Sequence, residues 1–351
     1  MAPYPVRLLW LSALLICSAI LPVPVSGRQD ASAPATQVTV DTPERFASFL
    51  DRLIGEARDR GYSDALIRQT LAGLEPLHRV IQSDRTQAEL NPGLARYLSS
   101  RLTRRMITRG RALSTSHRTL LGRIEARHEV QRRFLVAIWG LESRFGALTG
   151  RTPVFQALAT LAWEPRRADF FRGELFDALT MVQRGHIEAR TMTGSWAGAM
   201  GQAQFMPSSY LKYAVDFDND GRRDIWTSTP DVLASIASYL QGYGWNGDQT
   251  WGREVTVSAA AKARIDAAIP RRTVGCYAER NMTERRPLNE WHTLGVTLVT
   301  GKPLPSADIP ASLVDVGERQ FLVYPNYDAI LGYNCAHYYA LSVALLADRL
   351  Q

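Results

Sequence analysis

One acidic residue stands inside an otherwise apolar run, Arg133-Phe-Leu-Val-Ala-Ile-Trp-Gly-Leu-Glu142-Ser-Arg-Phe-Gly146. On a helix, residues three and four apart share a face, which surrounds Glu142 with Ile138, Trp139, Phe145 and Gly146. Such a neighbourhood disfavours the charged carboxylate and raises its pKa. A glutamic acid still protonated near neutrality can donate to a leaving-group oxygen. The bland reading is a surface glutamate at a helix end, or one paired with Arg144, since acidic residues are usually exposed. A second run, Gly194-Ser-Trp-Ala-Gly-Ala-Met-Gly-Gln-Ala-Gln204-Phe-Met-Pro-Ser-Ser-Tyr210, is a glycine-rich turn entering a helix near Pro207. Its glycines let backbone approach a ligand, and Gln204 offers both donor and acceptor groups. A tight structural turn is the alternative.

Helices must carry this chemistry. Thr42-Pro43-Glu44-Arg45 reads as an N-cap, a first-turn proline and an early acid, with Phe46, Phe49, Leu50 and Leu53 following at helical spacing. Ser63-Asp64 opens a second helix and Asn91-Pro92-Gly93 a third. Residues 91–146 read as successive helices whose arginine-rich faces are solvated rather than a binding stripe. Residues 147–250 alternate helices with glycine-rich turns. After Trp251 come short β-like runs, Glu254-Val-Thr-Val, Gly295-Val-Thr-Leu-Val and Gln320-Phe-Leu-Val-Tyr, before a final helix from Ala336 to Leu350. The class is mainly α with a minor β patch.

The 351 residues are 46% hydrophobic and 21% charged with three cysteines, which excludes disordered, collagen-like and disulfide-scaffold chains. All but three of the 41 basic residues are arginine, and the formal charge is +7. That balance favours anionic surroundings: a polymer, a membrane surface or a cell wall. Arg7, the apolar run Leu8 to Leu21 and Pro22-Val-Pro-Val-Ser-Gly27 describe a secretory signal peptide cleaved after Gly27. The run is short of the roughly 20 apolar residues of a membrane span, although an uncleaved anchor is the alternative. Cys17 follows the large Ile16, which argues against a lipoprotein. Export places Cys276 and Cys335 in an oxidising compartment, where they are expected to pair; two buried free thiols are the other reading.

The AIWGLESRFG run and the Gly198-to-Tyr210 motif, with Tyr333-Asn334 and Tyr338-Tyr339-Ala340 near the end, resemble the MltB-type lytic murein transglycosylases of the lysozyme-like superfamily, from about Phe46 to Leu350. The resemblance implies a lysozyme-like α-helical catalytic core with an N-terminal helical domain and a small β-containing C-terminal elaboration. We expect a signal peptide at 1–27, a disordered lead-in at 28–41, the N-terminal helical domain at 42–120 and the catalytic core at 121–252. A β-containing insertion at 253–320 and a groove motif with its helix at 321–351 complete the chain. Glu142 is then the one catalytic carboxylate, first acid and then base, in cleavage between N-acetylmuramic acid and N-acetylglucosamine with formation of a 1,6-anhydromuramyl end. No second acid lies in the glycine-rich motif, whereas a hydrolytic glycosidase usually needs two; Glu164, Asp169 and Glu174 remain formal candidates.

By the same resemblance Ser195 orients the carboxylate, Gln204 and Phe205 line the sugar subsites, and Arg166 and Arg167 contact the glycan or its peptide. Tyr239, Tyr333 and Tyr339 face the groove, although aromatic residues are more often core packing. Gly332 and Ala336 depart from the arginine and serine that many relatives carry there. Asp216-Phe-Asp218-Asn-Asp220-Gly221-Arg222 opens like an EF-hand loop, with the backbone carbonyl of Arg222 at position 7. Position 12 is Thr227, and a lengthened loop would bring in Asp231, as the family's site does, although Thr229-Pro230-Asp231 also reads as N-cap, first-turn proline and early acid of the next helix. A structural Ca²⁺ is expected, with an Asx-rich turn as the alternative; the chemistry itself needs no cofactor. The expected partner is the peptidoglycan strand, met by a periplasmic monomer that could also associate with the membrane or with other cell-wall enzymes. Export and the lack of aromatics within a basic stripe argue against nucleic acid, a remote third option. A hydrolytic muramidase and a catalytically silent glycan-binding protein are the competing functions.

Overall fold

The computed structural model describes residues 44–86 and 93–351. The signal segment, the lead-in, the Thr42 cap and the Asn91-Pro92 helix start lie outside the described residues. Seven helices come first: α1 (Phe46–Asp59), α2 (Asp64–Thr70), α3 (His78–Thr86), α4 (Leu94–Arg101), α5 (Arg104–Ser116), α6 (Arg118–His128) and α7 (Arg132–Ser143). Helix α1 begins later than the Thr42-Pro43 signal suggests, with Arg45 extended at its N-cap. Glu44 is used differently: its carboxylate takes Arg52 at 2.9 Å and its carbonyl the Trp163 indole at 2.7 Å. Ser63 and Thr103 cap α2 and α5 by accepting backbone N–H groups, as short polar side chains do at helix starts.

Helix α7 is the centre of the body. Phe134 to Gly140 are all buried, and a helix apolar all round must be enclosed by others. It packs against α5, α6, α11 (Thr229–Gly242) and α16 (His337–Arg349). Between α7 and α11 run β1 (Thr152–Pro153), α8 (Val154–Trp163), α9 (Ala168–Gln183), β2 (Thr193–Gly194) and α10 (Pro207–Tyr213), and β1 and β2 form a short antiparallel pair.

The remaining chain builds a five-stranded antiparallel sheet from β3 (Gly252–Val257), β4 (Arg286–Pro287), β5 (Val296–Leu298), β6 (Pro310–Val316) and β7 (Arg319–Val323), in the order β4-β6-β7-β3-β5. Three strands match the β-like runs. The sequence reading overlooked β6, which opens on a proline and is buried along Ala311 to Val314, so it lacks the alternation that marks a half-buried strand. Helices α12 (Ala259–Ala268), α13 (Tyr277–Arg280) and α14 (Leu288–Thr293) decorate the sheet. A separate apolar cluster including Val255, Trp291, Leu313 and Leu322 holds it. Among the described residues no single helix is long and apolar enough to cross a membrane.

Helix α15 (Pro325–Tyr333) meets α16 at a bend of 116°. Cys335 sits in the bend and is disulfide-bonded to Cys276, 59 residues earlier, as export leads one to expect. Closing a loop of that length removes unfolded-state entropy worth about 4 kcal/mol in the chain-entropy model. Cys276→Ser with Cys335→Ser is therefore expected to lower stability by about 2–4 kcal/mol, read from the denaturant midpoint. An unchanged midpoint would show that the bend holds without its bridge.

Candidate active site

Glu142 lies in the last turn of α7, and the chain turns back immediately after it. Arg144, Phe145 and Gly146 follow at φ of 52°, 59° and 82°. Left-handed backbone costs a non-glycine residue about 1–2 kcal/mol, so packing must hold the turn. The Phe145 ring folds onto Gly140, where a Cβ would stand 2.7 Å from two ring carbons, and meets Trp139 edge-on at 5.5 Å. Ser143 Oγ accepts the Gly146 N–H at 3.0 Å. A side chain on Gly146 would run into the amide of Gln202.

That amide ties three segments together. Trp139 Nε1 donates to Gln202 Oε1, and Gln202 Nε2 donates to the Trp226 carbonyl, both at 2.8 Å. The Gln202 backbone N–H donates to the Ile225 carbonyl at 2.8 Å. Helix α7, the glycine-rich loop and the end of the acidic loop thus share one buried residue.

The Glu142 side chain keeps partial access to solvent but lies deep among protein atoms. Burial pushes its pKa up to about 7, against smaller opposing pulls from the Tyr339 phenol and the Arg101 guanidinium. Tyr339 stands beside the carboxylate, yet its buried hydroxyl has no hydrogen bond of good geometry among the described residues. Tyr333 stacks near Tyr339 at 6.4 Å, and Tyr239 meets Tyr333 at 4.6 Å. Their hydroxyls donate to the carbonyls of Ala203 and Gly332, each at 2.6 Å. Burial first, and the Glu142 charge after it, raise the pKa of Tyr333 and Tyr339, and burial with neighbouring phenols does so for Tyr239. The wall therefore consists of neutral phenols. Among the described residues, the groups acting on Glu142 include no second carboxylate.

The other expected residues divide. Phe205 is 2% exposed and packs beneath Tyr239 and Tyr333 at 5.5 and 5.9 Å, so it supports the groove instead of lining it. Gln204 sits at φ 51° with its amide nitrogen donating to the Gly201 and Thr149 carbonyls. Ser195 Oγ accepts the N–H groups of Ala197 and Ala199 and makes no hydrogen bond to Glu142 in this structure. Arg166 and Arg167 are half exposed, and both hold the buried Asp84. Glu174 is buried at the start of α10, accepting the Ser208 N–H at 2.9 Å and hydroxyl at 2.7 Å, while Glu164 takes Arg85 at 2.9 Å. Ala336, the second departure, is the N-cap of α16 and leaves it without a side-chain cap.

Carboxylate oxygens of Asp216, Asp218, Asp220 and Asp231 lie within 4.8 Å of one another. Four hard donors suit a calcium-sized cation, and Asp231 joins the set as expected. Its oxygens also accept the Phe217 and Asp224 N–H groups, which fixes its aim. The Arg222 guanidinium pairs with Asp220 at 3.1 Å.

Sequence reasoning missed Arg101 and Gln202. Arg101 lies 41 positions before Glu142 and reaches it through the packing of α4 on α16, which no local pattern announces. Gln202 was visible inside the motif, and its signal was a Gly-Gln pair that must fit against Gly146.

A family model described as a transglycosylase SLT domain matches residues 45–348. The membrane-bound lytic murein transglycosylase B of Escherichia coli (strain K12) is 28% identical over 306 residues, covering 84% of this chain and 79% of that protein. SltB3 from Pseudomonas aeruginosa, solved in complex with NAG-anhNAM-pentapeptide, superposes with a TM-score of 0.76 at 40% identity, covering 86% of this chain and 78% of that one. The Escherichia coli lytic transglycosylase Slt35, solved in complex with calcium, superposes at 0.71 with 26% identity, covering 91% and 98%.

Removing a cation near a carboxylate disfavours its ionised form. Glu142, followed by its carboxyl ¹³C shift, is expected to titrate near pH 7 and to move upward in Arg101→Gln. A midpoint in the ordinary glutamate range would contradict the desolvated site.

Proposed function

The chain belongs to the transglycosylase SLT domain family, and from that premise we propose that Glu142 alone serves as acid and base in a peptidoglycan lytic transglycosylase. One observation carries this reading: a carboxyl whose pKa burial pushes up to about 7, walled by neutral phenols, with no carboxylate among the described residues that act on it. Hydrolases of this kind place a second carboxylate about 5–9.5 Å away to supply a nucleophile or activate water. Here the nucleophile belongs to the substrate. Protonated Glu142 gives its proton to the oxygen of the β-1,4 bond between N-acetylmuramic acid and N-acetylglucosamine, and that bond breaks with the electron pair leaving on the N-acetylglucosamine oxygen. The Glu142 carboxylate then takes the proton from the muramyl C6 hydroxyl as O6 closes on C1. The proton count returns to its start, no water is consumed, and the new end is 1,6-anhydro. A pKa near the working pH lets one group do both jobs.

Tyr239, Tyr333 and Tyr339 would hold the sugars beside the acid. The free carbonyl of Gln204 would meet an acetamido N–H. Ser195 has a hydroxyl hydrogen with no acceptor among the described residues, and it would turn to the carboxylate when substrate orders the site. Arg166 and Arg167, still half exposed while gripping Asp84, would meet acidic stem-peptide groups. Export to the periplasm by the N-terminal segment would put the enzyme beside its polymer. Asp216, Asp218, Asp220 and Asp231, with the Arg222 carbonyl, would hold a structural Ca²⁺ that stiffens the loop touching Gln202.

Glu142→Gln is expected to cut turnover of isolated sacculi by at least ~10²–10⁴-fold, with the protein still folded. Wild-type products should be lighter than hydrated muropeptides by one water in mass spectra. Reducing, hydrated ends alone would mean a muramidase, and an active Glu142→Gln would mean a different acid. Calcium at a hundredfold excess over Kd should add about 2.7 kcal/mol to stability, and Asp218→Asn should abolish that gain. An unchanged Tm in wild type would leave the loop a metal-free turn.

A further inference from the structure

Tyr243 closes α11 as its C-cap, outside the groups assigned so far. Its ring lies almost parallel to that of Tyr239, with centroids 4.8 Å apart and planes at 15°, yet 46% of the residue is exposed. Its seat is built on three sides. Tyr239 backs it, Tyr213 flanks it at 6.0 Å, and Gly332 makes room, because a Cβ at 332 would stand 2.5 Å from two ring carbons. Tyr239 continues to Tyr333 and Tyr333 to Tyr339, beside Glu142. Four phenol rings therefore form one chain of ring-to-ring neighbours from solvent to the acid, and Tyr243 is its exposed end.

We propose that Tyr243 is a sugar platform: its open face stacks on a ring of the glycan strand beyond the sugars that flank the cleaved bond, so the enzyme favours long strands. The proposal rests on the peptidoglycan reading of the site. A pyranose presents a C–H face apolar enough to pack on a phenol. Neighbours on three sides hold the ring before substrate arrives, so little ordering cost is left for binding.

Binding is measured by calorimetry on the Glu142→Gln protein, with long peptide-free glycan strands and with the single disaccharide as probes. Adding Tyr243→Ala is expected to weaken long-strand binding roughly five- to tenfold and to leave the disaccharide unchanged. Tyr243→Phe should recover most of that affinity, and Gly332→Ala, which pushes the ring from its seat, should mimic Tyr243→Ala. In the active enzyme Tyr243→Ala should raise KM on long strands with kcat little altered. Equal losses on both probes, or a loss in kcat alone, would overturn the proposal by making Tyr243 a prop for Tyr239. Unchanged long-strand affinity would overturn it as well, while leaving the catalytic reading in place. A Glu142→Gln protein that binds no glycan of any length would sink both readings together.

Discussion

The Glu142 carboxyl lies deep among protein atoms without being handed a close cationic partner, and that balance constrains everything around it. In water the group would be ionised at neutral pH, and a close arginine would hold it ionised even when buried. An apolar box with no polar contact would carry a desolvation cost with nothing to offset it. The protein takes a middle course. Phenols stand around the acid, polar enough to face it and themselves neutral because they are buried. Arg101 acts from a side chain that is itself exposed, so its pull is secondary to burial. A helix buried from Phe134 to Gly140 is what permits this, since α7 supplies the floor on which the acid stands.

Holding that floor against its walls falls to a few long-range ties. Gln202 joins α7 to the glycine-rich and acidic loops through polar groups that would be costly to leave unpaired. The sheet does comparable service for α15. Arg272 and Arg285, both from the β-containing segment, converge on Asp328 of α15 at 2.8 and 2.5 Å, and the disulfide fastens the bend that follows. A segment with its own apolar cluster therefore grips the helix that ends in Tyr333. Its placement far from Glu142 in sequence hides this supporting role.

Much of the site was legible because its signals are local. An apolar helix with one acid, closed by Phe145 and Gly146, is written into fourteen consecutive residues, and the desolvated carboxyl follows from that spacing. The final helix and the Asp231 contribution to the acidic cluster were readable for the same reason. What escaped depends on tertiary packing. Phe205 sits in the motif like a groove residue, but it is buried beneath Tyr239 of α11 and Tyr333 of α15. Arg166 and Arg167 are expected at the glycan or its peptide, and only the fold brings Asp84 of α3 to them. Strand β6 has no alternation to announce it because both of its faces are covered.

The position of Glu142 along α7 has an electrostatic consequence of its own. The helix ends at Ser143, so the acid occupies its C-terminal turn. Aligned peptide dipoles leave that end with partial negative charge, which opposes a carboxylate and favours the neutral acid. Near the N-terminus of the same helix, equal burial would be offset by the opposite pole. The backbone of α7 thus works in the same direction as desolvation, and the left-handed turn at Arg144 and Phe145, by stopping the helix there, sets which pole the acid feels.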